Sequence, residues 1–299
     1  MDAKRDKPWL SWVGLETDLI FNHGIDLPGF AAFPLLYDDA HRALIRTKYQ
    51  EQMAVAAETG CVACLESLTW VANLDRAAGL GYGVDDLVRI NTDAVAFLAD
   101  MRGDTPAVIS AQIGPRGDGY EAGDMSPGIA KDYHMAQIAV LAETACDVLS
   151  AFTIGSVDEA TGIVQAAVEV GKPVHISFTV ETDGRLPDGT PLHDAIRATD
   201  DATSGAAAMF LVNCAHPTHL EPAFAATDDW QRLGGIVANA SRQSHAELDE
   251  AEVLDDGNPA ELGQQIGALA ARLPSLRVFG GCCGTDMRHM REIGAAVAP

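Results

Sequence analysis

The sequence of 299 residues contains 20 lysine and arginine residues against 43 aspartate and glutamate residues, which gives a net charge of −23 at neutral pH. Such acidity argues against nucleic acid and anionic membranes as partners, because both require a basic surface. Neither a signal-peptide pattern nor a run of about 18 apolar residues occurs, so the sequence predicts a cytoplasmic protein that does not span a membrane.

Short apolar runs alternate with helical periodicity along the chain. The runs predicted as strands are 10–15, 62–67, 107–113, 148–153, 174–180, 209–213, 235–239 and 277–281. Apolar spacing near 3.6 residues predicts helices between them, at 40–59, 84–101, 129–144, 157–170 and 260–273. Breaks that contain glycine and proline, such as 103–106 and 171–173, separate helix ends from strand starts.

Near-continuous apolar strands that alternate with helices predict a parallel sheet covered on both faces. Eight such units favour a (β/α)8 barrel, formed as a single domain over residues 1–299, over an open doubly wound sheet. No Gly-x-Gly-x-x-Gly motif follows the first predicted strand, which argues against a dinucleotide-binding sheet.

Two adjacent cysteines, Cys282 and Cys283, lie between glycines after the last predicted strand. They are poorly placed to bridge to each other, because neighbouring residues rarely reach disulfide geometry. Cys214 follows the sixth predicted strand, and in a closed barrel all three cysteines would meet at the rim where such barrels carry their active sites. The sequence therefore predicts a Zn²⁺ site of three thiolates with a fourth position open to substrate.

Zinc bound by three thiolates has a formal charge of about −1, which suits the binding of a nucleophilic thiolate better than the activation of a carbonyl group. The matching reaction is in-line transfer of a methyl group from an onium donor to a thiol. The residues leave open a closed structural site in which His216 or His219 is the fourth ligand.

The segment around the cysteine pair resembles the homocysteine S-methyltransferase family. The similarity extends over nearly the whole chain, and the stretches that carry it are 280–285 (GGCCGT), 213–214 (NC), 14–19 (GLETDL), 113–118 (IGPRGD) and 239–241 (NAS). The resemblance implies a zinc-dependent (β/α)8 barrel that methylates homocysteine to methionine.

By that resemblance Cys214, Cys282 and Cys283 are the zinc ligands, and Asn213 and Asn239 are expected at the substrate.

Two positions depart from the pattern of the family. The resemblance implies an aspartate and a glutamate around the amino group of homocysteine, at positions where this sequence has Trp12 and Phe152. These aromatic side chains can hold an ammonium group by cation–π attraction. Glu16 and Glu66, which lie at the ends of the first and second predicted strands, are candidate replacements for the missing carboxylates.

The sequence therefore predicts a zinc-dependent S-methyltransferase whose donor is S-adenosylmethionine, S-methylmethionine or a betaine-like compound and whose acceptor is a thiol, foremost homocysteine. Two alternatives stay open, namely the same chemistry on a thiol without the α-amino group, and a thiol-binding sensor without turnover. The oligomeric state is also left open, a homo-oligomer included.

Overall fold

Eight parallel strands form a closed barrel in the computed structural model, which describes residues 7–298. Each strand pairs with its neighbours in sequence order, and the first pairs with the last. The strands are β1 (Trp9–Trp12), β2 (Val62–Glu66), β3 (Val108–Ile113), β4 (Val148–Ile154), β5 (Val174–Thr179), β6 (Met209–Asn213), β7 (Leu233–Ala238) and β8 (Val278–Gly281). The predicted single-domain (β/α)8 barrel is confirmed.

Helices connect the strands and cover the outside of the barrel. They are α1 (Leu15–His23), α2 (Asp39–Glu58), α3 (Leu74–Gly79), α4 (Val84–Arg102), α5 (Pro127–Ala142), α6 (Val157–Glu169), α7 (Leu192–Thr203), α8 (Pro217–Ala226), α9 (His245–Asp249), α10 (Pro259–Arg272) and α11 (Met287–Val297), with short 3₁₀ turns at Pro28–Phe30 and Phe33–Tyr37. Within residues 7–298, no helix has the length and apolar character needed to cross a bilayer.

The first strand is shorter than the sequence predicts. The apolar run continues to residue 15, but β1 ends at Trp12 and α1 already begins at Leu15. Gly14 lies so close to the Cys282 carbonyl oxygen that a Cβ atom there would overlap it, so the chain turns out of the barrel at this point.

Barrel closure depends on a close approach of β1 and β8. Ser11 is paired with Gly280, and a Cβ atom on Gly280 would overlap the carbonyl oxygen of Ser11. Glycine is therefore required at this position for the two strands to pair. Because β8 ends one residue later, this pairing also fixes where the cysteine pair leaves the barrel.

The barrel interior changes from apolar to polar along the strand direction. Valines from three neighbouring strands pack around Trp9 in the lower part: Val62, Val108 and Val148. Further along β1, the Ser11 hydroxyl donates to Glu66 Oε1 at 2.7 Å inside the barrel. The strands then end at the mouth, where the cysteines lie.

Candidate metal centre

Three cysteine side chains meet at the mouth formed by the carboxyl ends of the strands. Cys214 directly follows β6, and Cys282 and Cys283 directly follow β8. Their Sγ atoms lie within 4.8 Å of one another, with Cys214 and Cys282 buried and Cys283 partly exposed. The structure thus brings together the three residues that the sequence analysis grouped, although 68 residues separate Cys214 from Cys282 in the chain.

The spacing of the three sulfurs fits a zinc ion. Zn–S bonds of about 2.3 Å in tetrahedral geometry separate the sulfurs by about 3.8 Å, which is compatible with sulfurs that lie within 4.8 Å of one another. No histidine, aspartate or glutamate within residues 7–298 belongs to this group. Three protein ligands with an open fourth position are typical of catalytic rather than structural zinc sites.

The two histidines considered as a fourth ligand are occupied by other hydrogen bonds. His216 Nδ1 bonds to the Thr218 hydroxyl at 2.8 Å at the start of α8. His219 Nε2 bonds to the Arg242 carbonyl oxygen at 2.9 Å. Neither belongs to the sulfur group, so the structure gives no support to a closed site.

The three thiols influence one another's ionisation. Hydrogen bonds from the Cys282 and Cys283 thiols lower the pKa of Cys214 well below its usual value. Burial, followed by the hydrogen bond with Cys214, raises the pKa of Cys282, while hydrogen bonds with the other two cysteines raise that of Cys283. The group therefore favours one thiolate flanked by two thiols, and a bound divalent cation would allow all three to ionise.

Asn213 orients the sulfur of Cys214. The Thr153 backbone N–H donates to Asn213 Oδ1 at 2.9 Å, and the Ser177 hydroxyl donates to the same oxygen at 2.7 Å. Because these donors fix which end of the amide is the oxygen, Nδ2 is left to donate to Cys214 Sγ at 3.1 Å. A hydrogen bond of this kind stabilises a ligating thiolate and holds it in place.

Backbone strain is concentrated at the same point. Thr153 has φ 63° and Cys214 has φ 54°, in the left-handed region that residues other than glycine rarely adopt. Each such conformation costs about 1–3 kcal/mol and persists only where the surroundings enforce it. Here Asn213 bonds to both residues. No sequence signal indicated this strain, because neither residue type favours the conformation.

A cavity of about 670 Å³ adjoins the sulfur group, a volume typical of small-molecule sites. All three cysteines line it, as do the aromatic side chains of Trp70, Tyr120 and Phe152. The Tyr120 ring stacks on His245 with 3.9 Å between ring centroids and packs against the cluster that contains Cys214 and Cys282. The sulfur group therefore opens into a pocket whose wall includes several aromatic side chains.

Glu16 is a buried acid on the wall of this cavity. Burial raises the pKa of its carboxyl group to about 7, a backbone hydrogen bond opposes the change, and the charge of Cys214 adds to it. The carboxyl group is thus poised between its acceptor and donor forms near neutral pH.

Most of the chain, residues 15–297, matches the family model of the homocysteine S-methyltransferases. The chain belongs to the homocysteine S-methyltransferase family. The resemblance noted in the sequence is therefore confirmed.

Curated relatives in this family are distant and longer than the region that they share with this chain. Homocysteine S-methyltransferase YbgG of Bacillus subtilis is 27% identical over 202 residues, covering 63% of this chain and 61% of the relative. S-methylmethionine–homocysteine S-methyltransferase BHMT2 of Pongo abelii is 24% identical over 215 residues, covering 64% and 58%. Methionine synthase of Mycobacterium leprae is 29% identical over 170 residues, which are only 13% of its length. The chain thus spans less than two thirds of each of these relatives.

A solved structure of similar fold is the homocysteine methyltransferase MmuM of Escherichia coli. Its oxidized form superposes with a TM-score of 0.77 at 18% identity, covering 98% of this chain and 96% of that chain. Its metallated form gives a TM-score of 0.72 at 17% identity with the same coverage. At this identity the similarity shows the fold alone.

Trp12, one of the two residues at which this chain departs from the sequence pattern of the family, does not line the cavity. Alternation along β1 directs Ser11 into the barrel and Trp12 outward, where its ring packs in the core between the barrel and its helices. Its Nε1–H donates to the Thr285 carbonyl oxygen at 3.2 Å. The structure therefore does not bring Trp12 together with the other predicted substrate residues at this cavity.

Glu66 lies deeper in the barrel and is also absent from the cavity wall. Its side chain is buried, with Oε1 accepting from the Ser11 hydroxyl at 2.7 Å and from the Cys64 thiol at 3.3 Å. The sequence identified Glu66 as the acid that ends an apolar strand, but not the depth at which it points inward. The structure therefore places Glu66 below the wall that carries the other predicted substrate residues.

The other predicted substrate residues lie on the cavity wall, namely Glu16, Phe152, Asn213 and Asn239. Asn239 Nδ2 donates to the Cys214 carbonyl oxygen at 3.0 Å, and within the described residues its Oδ1 has no hydrogen-bond partner. The Phe152 carbonyl oxygen accepts from Trp70 Nε1 at 3.1 Å. The wall next to the sulfurs is therefore built from parts of β4, β6 and β7 and the segment after β2.

Proposed function

We propose that this protein is a zinc-dependent S-methyltransferase that transfers a methyl group from an onium donor to homocysteine, giving methionine. The observation that carries the proposal is the group of three cysteine sulfurs at the mouth of the barrel, in a chain of the homocysteine S-methyltransferase family. The names of two relatives, YbgG and BHMT2, support homocysteine as the acceptor, and BHMT2 supports S-methylmethionine as one donor to test.

Cys214, Cys282 and Cys283 would hold the zinc ion, which would favour the thiolate form of the acceptor sulfur. The residues of the chain contribute by positioning the metal ligands and the substrates. Asn213 fixes the direction of the Cys214 sulfur through its 3.1 Å hydrogen bond. Trp70, Tyr120 and Phe152 line the same cavity and supply apolar surface against which a methyl-onium donor can pack.

The reaction itself is a single displacement. The acceptor sulfur forms a bond to the methyl carbon while the bond between that carbon and the onium atom of the donor breaks. The bonding electron pair stays on the donor, which leaves neutral at that atom. Holding sulfur, carbon and leaving atom in line is the main catalytic task, and this cavity is large enough for both substrates.

Glu16 and Asn239 are the proposed contacts for the amino group of homocysteine, since each places a side-chain oxygen on the cavity wall. A thiol without an α-amino group is the second candidate acceptor. The observation in its favour is Phe152, whose side chain lines the cavity and offers an ammonium group neither a charge nor a lone pair.

The experiment that tests the metal assignment is zinc analysis of the purified protein and two variants. Cys283→Ser removes one proposed ligand, while Cys146→Ser removes a buried cysteine outside the group and serves as the matched control. We expect about one zinc per chain in the unchanged protein and in the control, and much less in Cys283→Ser. Full zinc retention in Cys283→Ser would refute the ligand assignment.

The activity is tested by incubating the zinc-loaded protein with homocysteine and each of three donors, S-adenosylmethionine, S-methylmethionine and betaine. Formation of methionine, followed by mass spectrometry, is the expected result with at least one donor. Thiol binding without any methylated product, for every pairing, would instead support the thiol sensor.

A further inference from the structure

Arg76 presents an uncompensated guanidinium group on the wall of the cavity. It lies on the short helix α3, where Asn73 caps its backbone N–H. None of its side-chain N–H groups donates a hydrogen bond within residues 7–298, and Nη1 is buried without a partner. A guanidinium group carries five donors, and leaving the buried Nη1 without an acceptor is costly because that group is charged.

Neighbouring acidic side chains do not neutralise the charge of the Arg76 guanidinium group. Asp118 is close enough to raise the pKa of Arg76, but burial outweighs it and the net effect is a lowered pKa. Asp118 itself is exposed, and its Oδ1 accepts from the Tyr120 backbone N–H at 2.9 Å. The other arginine on the cavity wall, Arg116, is by contrast paired with Asp75 at 2.8 Å.

The position of Arg76 is fixed by an aromatic stack that leads towards the sulfur group. Its guanidinium carbon lies 4.7 Å from the centroid of the Trp70 ring. The Trp70 indole N–H in turn donates to the Phe152 carbonyl oxygen at 3.1 Å. Arg76 and Trp70 line the same cavity as the three cysteines. The cation and the sulfurs therefore face the same ligand space.

We propose that Arg76 binds the acidic group, a carboxylate or a sulfonate, of a substrate whose reacting end lies at the three cysteines. The inference rests on the proposed methyl transfer and specifies its substrate class. A planar guanidinium group recognises such anions through paired N–H donors, and the cation–π contact with Trp70 uses none of these donors. An ammonium group at this wall would instead meet a like charge.

The acidic group can belong to the acceptor or to the donor, so two ligand pairs are needed. The thiol pair is 4-mercaptobutanoate and 4-mercaptobutanamide, and the donor pair is S-methylmethionine and its carboxamide. Within each pair the acid is replaced by an uncharged amide of similar shape. Dissociation constants are measured by calorimetry on the zinc-loaded protein.

Arg76→Met keeps a long side chain over Trp70 and removes the charge. The matched control is Arg89→Met, because Arg89 stacks on Tyr37 at 4.6 Å but lies outside the cavity. We expect the acid of one pair to bind about 10- to 100-fold more tightly than its amide in the unchanged protein and in Arg89→Met. That preference should vanish in Arg76→Met, with amide binding unchanged.

A preference confined to the thiol pair assigns Arg76 to the acceptor, and one confined to the donor pair assigns it to the donor. Equal binding of acid and amide in both pairs, or a preference that survives in Arg76→Met, overturns the inference. Failure of both thiols to bind the zinc-loaded protein would instead contradict the proposed function, while the donor pair still tests Arg76.

Discussion

Replacing Glu66 with glutamine should change the free energy of unfolding in a pH-dependent way. Relative to the unchanged protein, the variant should gain stability as the pH rises from acidic to alkaline. Glu66 is 3% exposed, and its Oε2 has no hydrogen-bond partner in the described part of the chain. Burial raises the pKa of its carboxyl group from 4.5 to about 7, and hydrogen bonds from Ser110, Ser11 and Cys64 offset only part of this effect. The folded protein therefore prefers the protonated form, whereas the unfolded chain ionises near the usual value.

The sign and size of the effect follow from this difference. Between about pH 4.5 and 7 the folded state binds a proton that the unfolded state has lost, so the contribution of Glu66 to stability falls as pH rises. From about pH 5 to pH 8.5 the loss amounts to about 2.5 kcal/mol. Glutamine is uncharged at every pH and has no such loss.

The assay is urea unfolding of both proteins at the two pH values, under identical metal and reductant conditions. Titration of all other groups is common to both proteins and cancels in the comparison. Glu51→Gln, which changes an exposed glutamate on α2, controls for the loss of one carboxylate. A stability difference between Glu66→Gln and the unchanged protein that does not vary with pH would refute the reasoning. Thiol affinity should not change, because Glu66 is not on the cavity wall.

Three further substitutions test the fold and the site. Gly280→Ala should destabilise the protein by about 3 kcal/mol in urea unfolding, since the added methyl group overlaps the Ser11 carbonyl oxygen where β1 and β8 pair. Gln52→Met should cost about 2 kcal/mol in the same assay, because Gln52 Nε2 donates to two strand carbonyl oxygens at 3.0 and 2.9 Å. Asn213→Leu should weaken zinc binding about 10- to 100-fold in a chelator competition, since it removes the hydrogen bond to the sulfur of the next residue; unchanged affinity would contradict that role.

The sequence was sufficient to predict the barrel, because each strand is a short apolar run followed by a helical pattern. The second run, 62–67, corresponds to β2 (Val62–Glu66), and the sixth, 209–213, to β6 (Met209–Asn213). The end of the first strand differs from the prediction, because the chain after Trp12 lies against the segment that follows β8. Contacts between chain segments so distant in sequence leave no local pattern to read.

In the candidate site, too, the features that follow from strand order could be predicted, whereas those that depend on strand register could not. The grouping of Cys214 with the cysteine pair followed from strand order alone, because parallel strands all end at one rim. The inward depth of Glu66 and the outward direction of Trp12 depend on the register of each strand within the barrel, which an apolar run does not fix. Arg76 could not be recognised at all, since its meaning depends on which groups fail to pair with it.

Both the net charge of the protein and the charge of Arg76 affect how the site would bind its two substrates. The net charge of −23 attracts onium cations towards the protein and repels anionic thiols, and both effects weaken with salt. Within the cavity, Arg76 attracts an acidic group and so opposes the repulsion caused by the net charge. An uncompensated guanidinium group in so acidic a chain is best explained by a ligand that supplies the missing anion.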